Sequence, residues 1–357
     1  AAAMVLLSHV QHQADKMHFA GTAYRSWNGL YLAGGVDIFF IISGFIMYAI
    51  SSAQFGKPGA AGHFFLRRLV RIVPPYWIFT AAMIGAAWLF ASHISHPALN
   101  LDHVLASFFF LPYDNAYGQP YPVLMLGWTL NYEFFFYVIF GVSLLLPRRR
   151  GLLAVFLAIG GLATLGFFEV FGRPPMLVWT NPIILEFLLG ILLAMARERG
   201  LRLSPLAGAA CIAAGFIAMY VLKALDIAQV YWLIRVLWMG LPALLICAGA
   251  VLLEQAPETH GLRKALVFMG DASYAVYLSH PFALNLVALL WSKLGLSGPY
   301  LYIALSCVFA LAVGALAHVA LEKPLTRCLN GKLAPRRQSG SRMGAGGPAH
   351  AIHVKQR

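Results

Sequence analysis

Leu32-Ala33-Gly34-Gly35-Val36-Asp37-Ile38-Phe39-Phe40-Ile41-Ile42-Ser43-Gly44-Phe45-Ile46-Met47-Tyr48-Ala49-Ile50 carries one charged side chain, Asp37, in a run long enough to cross a bilayer. A helix needs about 20 predominantly apolar residues to span the roughly 30 Å of hydrocarbon, and this run supplies them. A charge inside such a run is expensive, so Asp37 is a functional candidate from the outset.

Outward from this stretch the pattern repeats. Further apolar runs lie near residues 73–92, 124–146, 151–170, 179–196, 205–222, 231–253, 266–291 and 299–321. The composition agrees: 60% of the 357 residues are hydrophobic and 11% are charged. With the short run 1–10, the sequence predicts an all-α, polytopic membrane bundle of about ten transmembrane helices. Run 1–10 is too short to span by itself and begins without Met, so the sequence reads as truncated inside its first helix. A signal peptide would need a basic region before the run and small cleavage-site residues after it, and neither is present.

Basic residues accumulate in cytoplasmic loops. Segments 53–72, 147–150, 197–204, 254–265 and 322–357 hold 20 of the 26 Lys and Arg, so these are assigned to the cytoplasm together with both termini. Segment 11–30, the connection 93–123 and the turns near 173, 225 and 295 fall on the opposite side. The net charge of +13 is then a record of topology, and nucleic acid is not an expected partner. Cys211, Cys247, Cys307 and Cys328 show neither metal nor disulfide spacing. The bundle is drawn over 1–327 and a basic, disordered cytoplasmic tail over 328–357.

Several titratable groups stand out against this apolar background. His9 ends the first run, and counted from the loops it shares a level with Asp37. A carboxylate beside an imidazole raises its basicity and fixes its tautomer, as a general base for a hydroxyl nucleophile requires. A histidine at the membrane interface, beside Gln11, His12 and Gln13, is the competing reading of the same stretch. Glu133, in Trp128-Thr129-Leu130-Asn131-Tyr132-Glu133, lies roughly 13 Å below the outer surface. It either donates a hydrogen bond as a neutral acid, or faces a polar cavity, or bonds a neighbouring helix.

Ser273, Tyr277 and His280 form one polar stripe, followed by a Pro281 that interrupts the hydrogen-bond ladder. Glu186 is a weaker candidate for the same cavity, and Arg235 is expected to snorkel to the outer surface. Arg67, Arg68 and Arg71 suit phosphate binding, but positive-inside anchoring explains the same residues and, on this stretch alone, is the better reading. Phosphate-loop, nucleophile-elbow and zinc-helix motifs are missing, and the two halves show no matching broken helices of a secondary transporter.

Read in order, Gly-Val-Asp-Ile-Phe-Phe-Ile-Ile-Ser-Gly-Phe (35–45), Arg-Arg-Leu-Val-Arg-Ile-Val-Pro (67–74), Gly-Trp-Thr-Leu-Asn-Tyr-Glu (127–133), Leu-Glu-Phe-Leu-Leu-Gly (185–190), Ser-Tyr-Ala-Val-Tyr-Leu-Ser-His (273–280) and Glu-Lys-Pro (322–324) resemble the acyltransferase-3 family of integral-membrane O-acyltransferases. The likeness is greatest to members that acetylate exopolysaccharide or lipopolysaccharide sugars. It implies a bacterial cytoplasmic-membrane enzyme with no bound cofactor or metal. Its co-substrate would be acyl-CoA, in particular acetyl-CoA, and its acceptor a hydroxyl of a polysaccharide or lipid-linked sugar. His9 would be the base or acyl-transfer histidine, supported by Asp37 and Glu133. Arg67, Arg68 and Arg71 would hold the CoA phosphates, and Tyr277, His280 and Trp128 would line the acceptor cavity. Glu322 would close an ion pair with a cytoplasmic arginine. The family's first helix also carries an arginine before its histidine, and the matching position falls ahead of Ala1. The rival class is a proton-coupled carrier or flippase of a glycan or small anion, with His9, Asp37 and Glu133 as the relay.

Overall fold

The computed structural model describes residues 1–17, 19, 31–89, 99–225, 235–254 and 260–333. Among these residues every named element is helical, and the sole β-type contact is a bridge between Leu203 and Leu253. In chain order the helices are α1 (Ala2–Lys16), α2 (Gly35–Ser51), α3 (Ala60–Leu89), α4 (Leu101–Phe108), α5 (Trp128–Ser143), α6 (Arg148–Phe167) and α7 (Met176–Trp179). Then follow α8 (Leu185–Glu198), α9 (Pro205–Ala224), α10 (Leu241–Val251), α11 (His260–Lys293), α12 (Pro299–Ala317) and α13 (Lys323–Leu333).

Seven helical stretches among the described residues are long and apolar enough to cross a membrane. The three remaining expected spans correspond to the shorter α1, α8 and the Val236–Val251 stretch. The protein is therefore a multi-pass helical membrane protein. Its lipid-facing side is legible in α9, where the most apolar window has a mean hydropathy of 2.0 yet is only 17% buried. An apolar helix that turns most of its surface outward is stable in hydrocarbon and costly in water.

Inside the bundle α2 packs closely along α8. A Cβ on Gly44 would collide with the Phe187 carbonyl oxygen, and one on Gly190 with the Ile41 carbonyl oxygen. Two glycines thus bring the backbones together, as small residues do between membrane helices that gain little from the hydrophobic effect. The helices run parallel, with Asp37 beside Glu186 near one end and Tyr48 donating to Glu198 at 2.6 Å near the other. Arg148, at the start of α6, bonds both Tyr48 and Glu198 and locks that second end. Phe40, Phe136 and Phe187 fill the centre, with Phe136 and Phe187 stacked at 4.4 Å.

Three expectations about element limits change. α1 does not end at His9 but runs on through Gln11, His12 and Gln13 to Lys16. These polar residues stay helical because Gln11 is buried and Gln13 donates to Asn285 of α11 at 3.1 Å. Pro281 does not break α11, which continues through it to Lys293, as α3 continues through Pro74 and Pro75. α13 runs to Leu333, across the boundary drawn at 327/328. Positions 334–357, most of the expected outer loop 11–30, and the beginnings of segments 93–123 and 231–253 lie outside the described residues.

Candidate functional site

The candidate residues separate into three groups, and the grouping differs from the one the sequence suggests. His9 and Asp37 do not meet. α1 packs against the head of α2 so that a Cβ on Gly35 would touch Met4 and Val5. His9 lies one helical turn beyond Val5 and Asp37 lies further down α2, an axial offset of roughly 9 Å at 1.5 Å per residue. The depth count placed them level because it ended α1 too early.

Asp37 instead receives a two-pronged bond from Arg235, Nε to Oδ1 at 2.9 Å and a terminal nitrogen to Oδ2 at 2.6 Å. The Asp37 side chain is 0% exposed and that of Arg235 24%, so Arg235 does not snorkel to the surface. An uncompensated carboxylate in the bundle draws the guanidinium inward, and the planar fork matches both oxygens. Glu186 is buried alongside, with neither carboxylate oxygen hydrogen-bonded in the structure. Arg235 stands where a π-helical turn, Val236–Gly240, opens the last part of that span.

His9 has another partner. Its Nδ1 lies 2.8 Å from Nε2 of His280, with ring centroids 5.1 Å apart. His280 is buried, whereas His9 is half-buried. The Nδ1 of His280 turns back along its own helix to the Val276 carbonyl at 3.1 Å. Pro281, which supplies no N–H, leaves the Tyr277 carbonyl without its usual helical donor beside that same ring.

A polar stripe runs along α5 below this pair. Thr129, Glu133 and Tyr137 recur at every fourth residue and share one face of the helix. Thr129 Oγ1 is 2.9 Å from the Tyr277 hydroxyl, which donates to the Leu126 carbonyl at 2.9 Å. Trp128 packs edge-on against Tyr132 beside this contact. Glu133 Oε1 accepts from Ser43 of α2 at 3.0 Å and from Tyr137. The Arg68 guanidinium lies 6.0 Å from the centre of the Tyr137 ring, and its Nε is buried without a hydrogen bond. Ser273 takes no part, because its hydroxyl donates to the Gly270 carbonyl of its own helix.

Beyond Arg68 the stripe opens into a cleft of about 230 Å³ between the end of α2, the start of α3 and Leu144. Arg67, Arg68, His63, Ser51 and Gln54 give it polar walls, while Arg71 does not line it. Glu322 pairs with His318 of its own helical segment at 2.8 Å, not with an arginine. Among the described residues, no group of three or more His, Cys, Asp or Glu is arranged to hold a metal ion.

Ser43, Tyr137 and the Arg235 pairing were not read from the sequence. Tyr137 stands four residues after Glu133, a spacing that signals contact on a helix. A lone arginine within a span asks for an acid. Ser43 offered no such signal.

Comparison with known proteins agrees with the motif order. The acyltransferase-3 pattern, described as an acyltransferase domain, matches residues 1–319. The exopolysaccharide production protein ExoZ of Rhizobium meliloti (strain 1021) is 37% identical over 303 residues, covering 83% of this chain and 90% of that protein. The "putative membrane-bound transacylase BcsY" of Komagataeibacter xylinus is 29% identical over 272 residues, covering 69% of this chain and 64% of that protein. No solved structure matches the chain. With a family pattern spanning most of its length, the chain belongs to the acyltransferase-3 family of membrane acyltransferases.

Proposed function

We propose that this protein moves an acyl group, acetyl in our reading, from a cytoplasmic acyl-CoA to a sugar hydroxyl of a cell-envelope or exported polysaccharide. The observation that carries the proposal is the α5 stripe. Thr129, Glu133 and Tyr137 join an arginine-walled cleft at one end to a histidine pair at the other. A reaction that takes its donor from one side of a membrane and its acceptor from the other needs two such ends with a polar route between them. The name of ExoZ, a protein of exopolysaccharide production, supports the choice of acceptor. On the positive-inside assignment the cleft faces the cytoplasm of a bacterial inner membrane, and Arg67 and Arg68 suit the phosphates of a nucleotide-bearing thioester.

In this reading His9 is the general base. Its free ring nitrogen takes the proton of the sugar hydroxyl as the oxygen attacks the thioester carbonyl. The carbon–sulfur bond breaks, and the departing thiolate takes the proton back from the imidazolium. Tyr277 and Trp128 border the acceptor side, and Glu133 organises Ser43 and Tyr137 along the route.

Membranes incubated with radiolabelled acetyl-CoA and deacetylated cell-surface polysaccharide test this. Label should appear on the glycan and vanish in His9→Ala. Proton-coupled uptake of a solute with no covalent product would overturn the enzyme reading in favour of a carrier.

A further inference from the structure

We propose that His280 is the positioning residue of His9: it fixes the tautomer and direction of the His9 ring so that Nε2 is left bare for proton abstraction. This rests on the reading of His9 as the base. It also moves His280 out of the acceptor cavity, where the family resemblance puts it.

The argument follows from hydrogen-bond roles. A carbonyl oxygen only accepts, so the 3.1 Å contact with Val276 makes His280 Nδ1 the protonated nitrogen. His280 is 1% exposed, and a second proton would make it a buried cation. Its Nε2 is therefore a lone-pair acceptor. Across the 2.8 Å contact, His9 Nδ1 must be the donor. A neutral imidazole carries one proton, so His9 Nε2 has none, and it lies on the side of the ring turned away from His280. The Val276 carbonyl thus sets the tautomer of the second histidine through the first.

The same arrangement explains the dipeptide His280-Pro281. In an uninterrupted helix the carbonyls around residues 276 and 277 are saturated by backbone donors. Pro281 withholds the donor that would serve the Tyr277 carbonyl, so a second acceptor stands beside that of Val276 at the His280 ring. When His9 takes a proton, His280 Nε2 accepts from an imidazolium, and a charge-assisted bond is stronger than a neutral one. A carboxylate usually fills this place beside a catalytic histidine. Here Asp37, the carboxylate the sequence offered for that place, is bound to Arg235.

Two amide substitutions separate positioning from lining. Gln at 280 can offer its oxygen where Nε2 stood, whereas Asn reaches only the Nδ1 position and offers His9 no acceptor. In membranes assayed with acetyl-CoA and deacetylated exopolysaccharide, His280→Asn should lower kcat by about 100-fold with both KM values within about threefold. His280→Gln should return to within about tenfold of the unsubstituted protein. Equal activity of the two variants, or a rise confined to the acceptor KM, overturns the proposal. The underlying reading fails separately: if His9→Ala still transfers acyl groups, His9 is not the base. An inactive His9→Ala beside a fully active His280→Asn removes the positioning role alone. A detergent-solubilised thermal midpoint for each variant keeps misfolding apart from lost chemistry.

Discussion

Asp37 with Arg235 and His9 with His280 are contacts of one architectural kind and opposite chemical kind. Each ties the first quarter of the chain to its last half inside the bundle, across 198 and 271 residues. In the first pair both carboxylate oxygens are taken by one guanidinium. In the second, each ring bonds through one nitrogen to the other, His280 closes on Val276, and His9 keeps a nitrogen open. A buried group whose bonding capacity the protein exhausts serves the fold, and one left with spare capacity and partial exposure is available to a substrate.

The first way to break this contrast is to remove the open end. His9→Ala should lower kcat by about 10²- to 10⁴-fold, the usual reach of a general base. The solubilised protein should lose only about 1 kcal/mol of stability, since His9 is half-buried and gives up one neutral hydrogen bond, to His280. A large loss of stability instead would assign His9 to the fold and remove the contrast with Asp37.

The closed pair should answer in the other order. Asp37→Ala takes the two-pronged partner from Arg235 and leaves it only the Glu186 carboxyl nearby, and loss of one partner of a buried ion pair costs about 3–5 kcal/mol, an upper bound where a second acid is close. Denaturant unfolding in detergent measures this. The double variant Asp37→Ala/Arg235→Leu should recover much of the loss, because no charge is then stranded. A stable but slow Asp37→Ala protein would return Asp37 to the catalytic group and dissolve the comparison.

Glu133 sits between the two cases. It accepts from Ser43 and Tyr137 and so holds α2 to α5, yet it also lies on the route between cleft and histidines. Glu133→Met removes both acceptor contacts and should destabilise by about 2–3 kcal/mol, while Glu133→Gln keeps an acceptor oxygen and should lose about half as much. A turnover loss in Glu133→Gln larger than its stability loss would shift Glu133 toward the His9 kind.

What the sequence made legible was composition along one dimension: the spans and the titratable residues inside them. Which of those residues meet was not legible, because partners 198 and 271 residues apart are chosen by packing. Depth counting failed for His9 through a specific assumption, that α1 stops where its residues turn polar. Gln13 shows why it does not: with Asn285 as a partner, a polar residue is as good a helix member as an apolar one. Arg235 was misread by treating a long basic side chain as self-sufficient, when a carboxylate of the neighbouring span had no other counter-charge. Gly44 and Gly190 belonged to visible motifs, but their meaning, two backbones in contact, appears only when α2 and α8 are side by side.

The smallest effect belongs to the cleft, and it sharpens the comparison at the donor end. Arg67 and Arg71 are one helical turn apart on α3 and both exposed, yet Arg67 forms a wall of the cleft and Arg71 does not. If the cleft receives a phosphate-bearing donor, Arg67→Gln should raise the apparent KM for acyl-CoA by about tenfold, one charge-assisted contact. Acceptor KM and kcat should stay put. Arg71→Gln should change the donor KM by less than about threefold, because an exposed charge outside the cleft acts only through screened solvent. The Arg67 effect should shrink as salt is raised. Equal effects of the two substitutions would mean that these arginines serve the membrane surface, as the positive-inside rule alone would have them do.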